Sequence, residues 1–164
     1  MPAVPASPIA AGVRIGHVHL KVADIDRALT FWRDVLGFEV THQRPGAVFL
    51  AAGGYHHHIA LNTWESANGQ PPAKGTTGLY HVAVLYPNRA ELAGALRRVM
   101  AAGISLTGAS DHGVSEALYL NDPDGNGVEL YRDRPEHEWP RTPQGKMTMF
   151  SKKLDLDNLL TAAP

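Results

Sequence analysis

His17 and His81 each precede a valine, and each lies seven residues before a helix-capping side chain, Asp24 in one case and Asn88 in the other. The offset between the two histidines is 64 residues, and so is the offset between the two caps. Each histidine falls in a segment with the alternation of a strand, so the two imidazoles occupy equivalent positions on one face of two related elements. Near the end of the second copy Glu129 stands between Val128 and Leu130. A carboxylate in that apolar setting is costly unless it is paired or bound to a cation. Two imidazoles and one carboxylate form the facial triad that leaves coordination positions open on Fe(II). His19 shares a face with His17 and is the alternative ligand. His17 is preferred because its distance to the helix cap matches that of His81.

The elements that must hold these residues read as a duplication. Residues 13–22 alternate as a strand. Asp24 then caps a helix with Ile25, Ala28, Leu29, Trp32, Val35 and Leu36 on its apolar side, ended by Gly37. Residues 38–42, 47–52 and 57–63 read as three strands, broken by Pro45-Gly46 and Gly53-Gly54. After a Gly- and Pro-rich linker the order repeats. Residues 79–86 read as a strand, a helix capped by Asn88 runs to Gly103, and residues 104–107, 116–120 and 128–131 read as strands. Asp122-Pro123-Asp124-Gly125 is a tight turn. The expectation is an α+β chain of two βαβββ modules whose sheets form open, mixed half-barrels. Its parts are an N-terminal arm (1–12), module one (13–64), a linker (65–78), module two (79–133), and an extension (134–164) that ends in a short helix begun by Asp155.

Bulk properties narrow the function. The chain has 164 residues, 44% hydrophobic and 19% charged, enough for one ordinary domain with a real core. A formal charge of −1 gives no electrostatic reason to expect nucleic acid or an anionic membrane as partner. The absence of cysteine removes disulfides, thiolate metal sites and a Cys nucleophile, and fits a reducing cytoplasm. Nine histidines is the unusual count. The first twelve residues lack the basic and unbroken apolar regions of a signal peptide, and no later run is long enough for a bilayer, so a cytoplasmic protein is expected.

The segments IGHVHLKVADIDRALTFWRDVLGF, LYHVAVLYPN and LYLNDPDGNGVELYRD resemble the vicinal oxygen chelate (glyoxalase/bleomycin resistance/dioxygenase) superfamily over about residues 14–133. Within it the chain most resembles the catechol-2,3-dioxygenase (type I extradiol) group. Gly54-Tyr55-His56-His57-His58-Ile59-Ala60-Leu61 is similar to the paired-histidine segment of those enzymes, and the resemblance places the acid/base role on His57, with His58 beside it. His112-Gly113-Val114-Ser115 resembles the segment that carries a distal-pocket histidine, which implies that role for His112. Tyr119 matches the active-site tyrosine of the next strand when aligned back from Asp122-Pro123-Asp124-Gly125.

The resemblance implies an enzyme that opens a catecholic ring beside the diol with O₂. His17, His81 and Glu129 would hold Fe(II), or Mn(II), and the chain would act as a homodimer. One departure matters. Glyoxalase-like members place a fourth ligand on the last strand of module one, and the corresponding position here is about Ala60. Full-length extradiol enzymes usually add a second, metal-free pair of modules, so this chain resembles the catalytic half, with enclosure of substrate left to the tail, an insertion or a second subunit. The rival expectations are another metal-dependent reaction of the superfamily (lyase, isomerase or thiol transferase) and a metal-free module that binds a small molecule.

Overall fold

The computed structural model describes residues 7–163. Half of the expected N-terminal arm, residues 1–6, lies outside them; residues 7–17 carry neither strand nor helix. The first strand, β1 (Val18–Lys21), is shorter than the alternation of residues 13–22 predicts, because its one partner strand offers four residues for pairing. His17 therefore sits just before the strand.

Asp24 caps α1 (Ile25–Leu29) by accepting a hydrogen bond from Arg27 N at 2.7 Å. The sequence predicts one continuous helix to Leu36, but beyond Leu29 the coil widens. Over Thr30–Val35 it is a π-turn, with Leu36 N bonded to Phe31 O five residues back at 3.0 Å. The widened turn accompanies the burial of two adjacent aromatics, Phe31 and Trp32, on one helical segment. Gly37, at φ 86°, ends it. The chain continues through β2 (Glu39–Arg44), β3 (Ala47–Ala51) and β4 (Ile59–Asn62), which pair antiparallel in sequence. β4 then pairs parallel with β1, so the sheet order is β1-β4-β3-β2.

Module two repeats this order. β5 (Val82–Leu85) leads into α2 (Arg89–Ala101), whose cap Asn88 accepts from Glu91 N at 2.9 Å. β6 (Gly108–Asp111), β7 (Ser115–Asn121) and β8 (Gly127–Asp133) follow, with β8 parallel to β5. One expected strand is displaced. Residues 104–107 are irregular, and Ile104 and Leu106 pack against the core while β6 begins at Gly108, opposite Tyr119. A strand absent from the sequence reading, β9 (Lys152–Lys153), pairs with β6 and makes the second sheet β5-β8-β7-β6-β9. The extension ends in α3 (Leu156–Leu160), capped by Asp155 as its sequence predicts. The architecture is α+β, with two open mixed sheets and, among the described residues, no closed barrel.

A single buried cluster takes residues from both modules, among them Leu20, Trp32, Val48 and Leu61 from the first and Leu92, Leu96, Leu118 and Leu130 from the second. Polar ties join the modules as well. Asp124 binds the Arg27 guanidinium and accepts from Ala23 N at 2.9 Å, and Arg98 donates to Val35 O at 3.1 Å. Side chains alternate across each strand, so one face of each sheet is committed to this core and the other is left for the histidines. Among the described residues no helix is long and apolar enough to cross a membrane.

Candidate active site

The register of the parallel pairs shows how the duplication places its polar side chains. In sheet one His19 pairs with Ala60, and in sheet two Ala83 pairs with Glu129. Since residues 19 and 83 are equivalent by the 64-residue offset, Ala60 and Glu129 are equivalent too. Module one thus has a fully buried alanine where module two has a carboxylate.

Glu129 lies on the face of β8 opposite Val128 and Leu130, both of which are buried in the core. Its Oε2 is 2.9 Å from His81 Nε2, which immediately precedes β5. Its Oε1 accepts from the Tyr119 hydroxyl at 3.0 Å, and that hydroxyl is 2.8 Å from His112 Nε2. Burial, with the Glu129 charge adding to it, pushes the Tyr119 phenol up to about 12, so it remains a protonated donor at neutral pH. Gly127 is required here for close approach. A Cβ at that position would fall on Tyr80 O and within 3.1 Å of His81 Cβ, so the strand carrying Glu129 sits directly against the backbone carrying His81.

The second group lies on sheet one. His17 packs at a tilt against His57 with ring centroids 4.5 Å apart, and His57 in turn packs edge-on to Phe49 at 5.2 Å. His57 Nδ1 is 2.8 Å from His56 Nδ1. Burial and the neighbouring histidines, His17 first among them, hold His57 below the usual imidazole range. His19 is engaged elsewhere: its Nε2 accepts from Asn62 Nδ2 at 2.9 Å and its ring meets Trp64 edge-on at 5.5 Å. His58 Nδ1 accepts from Ala52 N at 3.3 Å, tying β4 to the end of β3. Of the two alternatives at each position, His17 and His57 are the pair that touch each other.

The structure therefore gathers His81, Glu129, Tyr119 and His112 into one hydrogen-bonded chain, and His17 with His57 into another. Among the described residues no three His, Asp or Glu side chains are grouped closely enough to hold a metal ion. The donor chemistry of the module-two group nonetheless fits a divalent cation. Among the described residues Glu129 has no Lys or Arg partner, and its charge is answered by an imidazole and a phenol alone.

Sequence reasoning missed the ion-pair network that fixes this sheet from behind. Glu116, 3% exposed, receives Arg89 at 3.0 Å, Arg132 at 2.9 Å and Arg134 at 3.2 Å, and Arg134 also reaches Asp111 at 2.9 Å. An available signal was Glu116 opposite Arg132 in two neighbouring strands. Also missed was the contact of the extension with His112, whose Nδ1 lies 3.0 Å from Ser151 Oγ and 3.2 Å from Phe150 O.

Residues 14–130 match the family model of the Glyoxalase/Bleomycin resistance protein/Dioxygenase superfamily. The chain belongs to that superfamily. Among its members the chain is 42% identical over 149 residues to a catechol-2,3-dioxygenase of Bacillus subtilis, a match covering 91% of this chain and 52% of that protein. It is 32% identical to biphenyl-2,3-diol 1,2-dioxygenase 3 of Rhodococcus globerulus, over 73% of this chain and 63% of that one. The chain thus spans about half to two thirds of the length of these two relatives. A lactoylglutathione lyase of Agrobacterium tumefaciens superposes with a TM-score of 0.56 at 26% identity, covering 75% of this chain and 96% of that one. A glyoxalase/dioxygenase of Nostoc punctiforme superposes with a TM-score of 0.62 at 19% identity, covering 79% of this chain and 98% of that one, and shows the shared fold.

Proposed function

We propose that the chain is a metal-dependent extradiol dioxygenase that opens a catecholic ring next to the diol with O₂. The observation that carries this reading is the Glu129–Tyr119–His112 chain anchored on His81, which joins a carboxylate and an imidazole to two further hydrogen-bonding groups on one open sheet face. The similarity to two dioxygenases of aromatic diols supports it. His17, His81 and Glu129 would hold Fe(II), with Mn(II) the other candidate for the same donors. When bound, such an ion supplies Lewis acidity and open positions at which a diol and dioxygen can be brought together.

The chain's own residues then have distinct tasks. His57, a neutral imidazole packed on Phe49, accepts a proton from a diol hydroxyl and gives it back later in the ring opening. His112 lines the pocket beside Ser110 and His81, and its Nε2 hydrogen-bonds the Tyr119 hydroxyl, so that the two side chains are presented to substrate together. Tyr119, held by Glu129, orients the ring. Because His17 and His81 belong to separate groups within one chain, we further propose a homodimer in which His17 and His57 of one protomer face His81 and Glu129 of its partner.

The equivalence of Ala60 with Glu129 favours this reading over lyase or isomerase chemistry that uses a carboxylate from each module. Metal content of anaerobically purified protein, measured by mass spectrometry beside His81→Ala, tests it together with a catechol-plus-oxygen assay. Near-stoichiometric iron or manganese, lost in the variant, and a yellow ring-opened product are expected. Stoichiometric nickel or zinc with no oxygen consumption would point to the non-oxidative alternative. No metal after Fe(II) reconstitution would leave the small-molecule binding module.

A further inference from the structure

We propose that Ser151, in the C-terminal extension, is a positioning residue that fixes the tautomer of His112 so that Nε2 carries the proton and faces Tyr119. This rests on the reading of His112 and Tyr119 as a hydrogen-bonded pair in the substrate pocket.

The argument is a count of protons along one chain of contacts. The Tyr119 hydroxyl donates to Glu129 Oε1 at 3.0 Å, so its single proton is committed there. The Tyr119 oxygen is then left as an acceptor, and the atom 2.8 Å away, His112 Nε2, must donate to it. A neutral imidazole carries one N–H, so Nδ1 is the bare nitrogen and needs a donor. Two groups of the extension reach Nδ1, and they ask for opposite tautomers. The Ser151 hydroxyl, at 3.0 Å, can donate, whereas the Phe150 carbonyl, at 3.2 Å, can only accept. Only Ser151 satisfies a bare Nδ1.

The extension is held in place well enough to do this. β9 pairs with β6 through Asp111 and Lys152, one residue from His112 on one side and one from Ser151 on the other. Phe150 N donates to His112 O at 3.3 Å. Gly113, at φ 77°, has no room for a side chain, since a Cβ would lie 2.6 Å from Phe150 and 2.9 Å from Pro140. Trp139 Nε1 anchors the start of the segment to Arg134 O at 2.7 Å. The extension is thus clipped across the turn that carries His112.

Nitrogen-15 NMR of the full chain labelled at histidine decides the matter, using His112→Gln to assign the signals. The wild type is expected to show a bare-type Nδ1 and a protonated-type Nε2. Ser151→Ala should shift the pattern toward protonated Nδ1, now bonded to Phe150 O. Ser151→Thr should restore the wild-type pattern. In ring-cleavage assays Ser151→Ala should lower kcat about fivefold, the weight of one neutral hydrogen bond, with KM nearly unchanged and Ser151→Thr recovering most of it. A protonated Nδ1 in the wild type, or an unchanged pattern in Ser151→Ala, would overturn the proposal. A tautomer switch in a protein that cleaves no catechol would uphold it and overturn the dioxygenase reading instead.

Discussion

Ala60 and Glu129 occupy the same position of the two repeats, the one buried between β1 and β3, the other largely buried beside His81. A duplicated fold has therefore kept a carboxylate in one copy only. Three protein ligands leave more of a metal's coordination open than four do. Glu129→Gln keeps the size of the side chain and its contact with Tyr119 while removing the charge. It should weaken iron binding by more than about a hundredfold, beyond the usual cost of disturbing a group that only supports a ligand. Competition against a chelator measures this. Unchanged affinity would remove Glu129 from the ligand set.

Gly127 and His81 are coupled through space. The missing Cβ of Gly127 is the room occupied by Tyr80 O, so Gly127→Ala must separate the starts of β5 and β8. Overpacking of this kind costs about 1–3 kcal/mol. The same variant should lose metal affinity, because the displaced backbone carries His81. Gly94, inside α2 with only Arg98 Nη1 within reach of a new Cβ at 3.7 Å, is the control. Gly94→Ala should stabilise by about 0.5–1 kcal/mol through helix propensity and leave metal binding alone. Denaturant melts and metal titrations of the two variants separate the effects.

The repeat was legible in the sequence because it rests on local signals. Asp24, Asn88 and Asp155 are capping residues at three helix starts, and each accepts the hydrogen bond its type predicts. The order of strands followed from the 64-residue offset. What was not legible depends on contacts distant in sequence. β6 starts at Gly108 because that glycine seats against Tyr119, a pairing that no local pattern in residues 104–111 encodes. The π-turn over Thr30–Val35 keeps helical periodicity, so its widening was invisible. In the site, the proximity of His81 to Glu129 followed from the register, whereas the separate grouping of His17 with His57 depends on how the two sheets lie against the shared core. The clasp of Ser151 on His112 joins residues 39 apart and needed the fold itself.

Glu116 is the buried anion on which three arginines converge, drawn from α2, β8 and the segment after it. Glu116→Ala leaves these guanidiniums facing one another without their common partner. Breaking a buried pair by removing one member costs about 3–5 kcal/mol. A correspondingly large fall in the denaturation midpoint is expected, with metal affinity of the remaining folded protein close to wild type, because Glu116 lies outside the His81–Glu129 group. A stability change within experimental error would mean that the arginines are satisfied by solvent.

The proposed assembly makes a prediction that a single-chain site does not. Suppose that each site takes His17 from one protomer and Glu129 from its partner. In a mixed dimer of His17→Ala and Glu129→Ala chains, one site then collects both substitutions and the other collects neither. Each variant alone should be inactive. Random mixing places half of the dimers in the mixed class, each with one sound site of two, so activity should return to about a quarter of wild type. Co-expression of the two variants, followed by purification, iron loading and the ring-cleavage assay, provides the mixed population. If each chain instead built its own site, every site in the mixture would carry one lesion and no activity would return. Light scattering on the wild type must also report a dimer, since a monomer that turns over catechol would rule out the shared site directly.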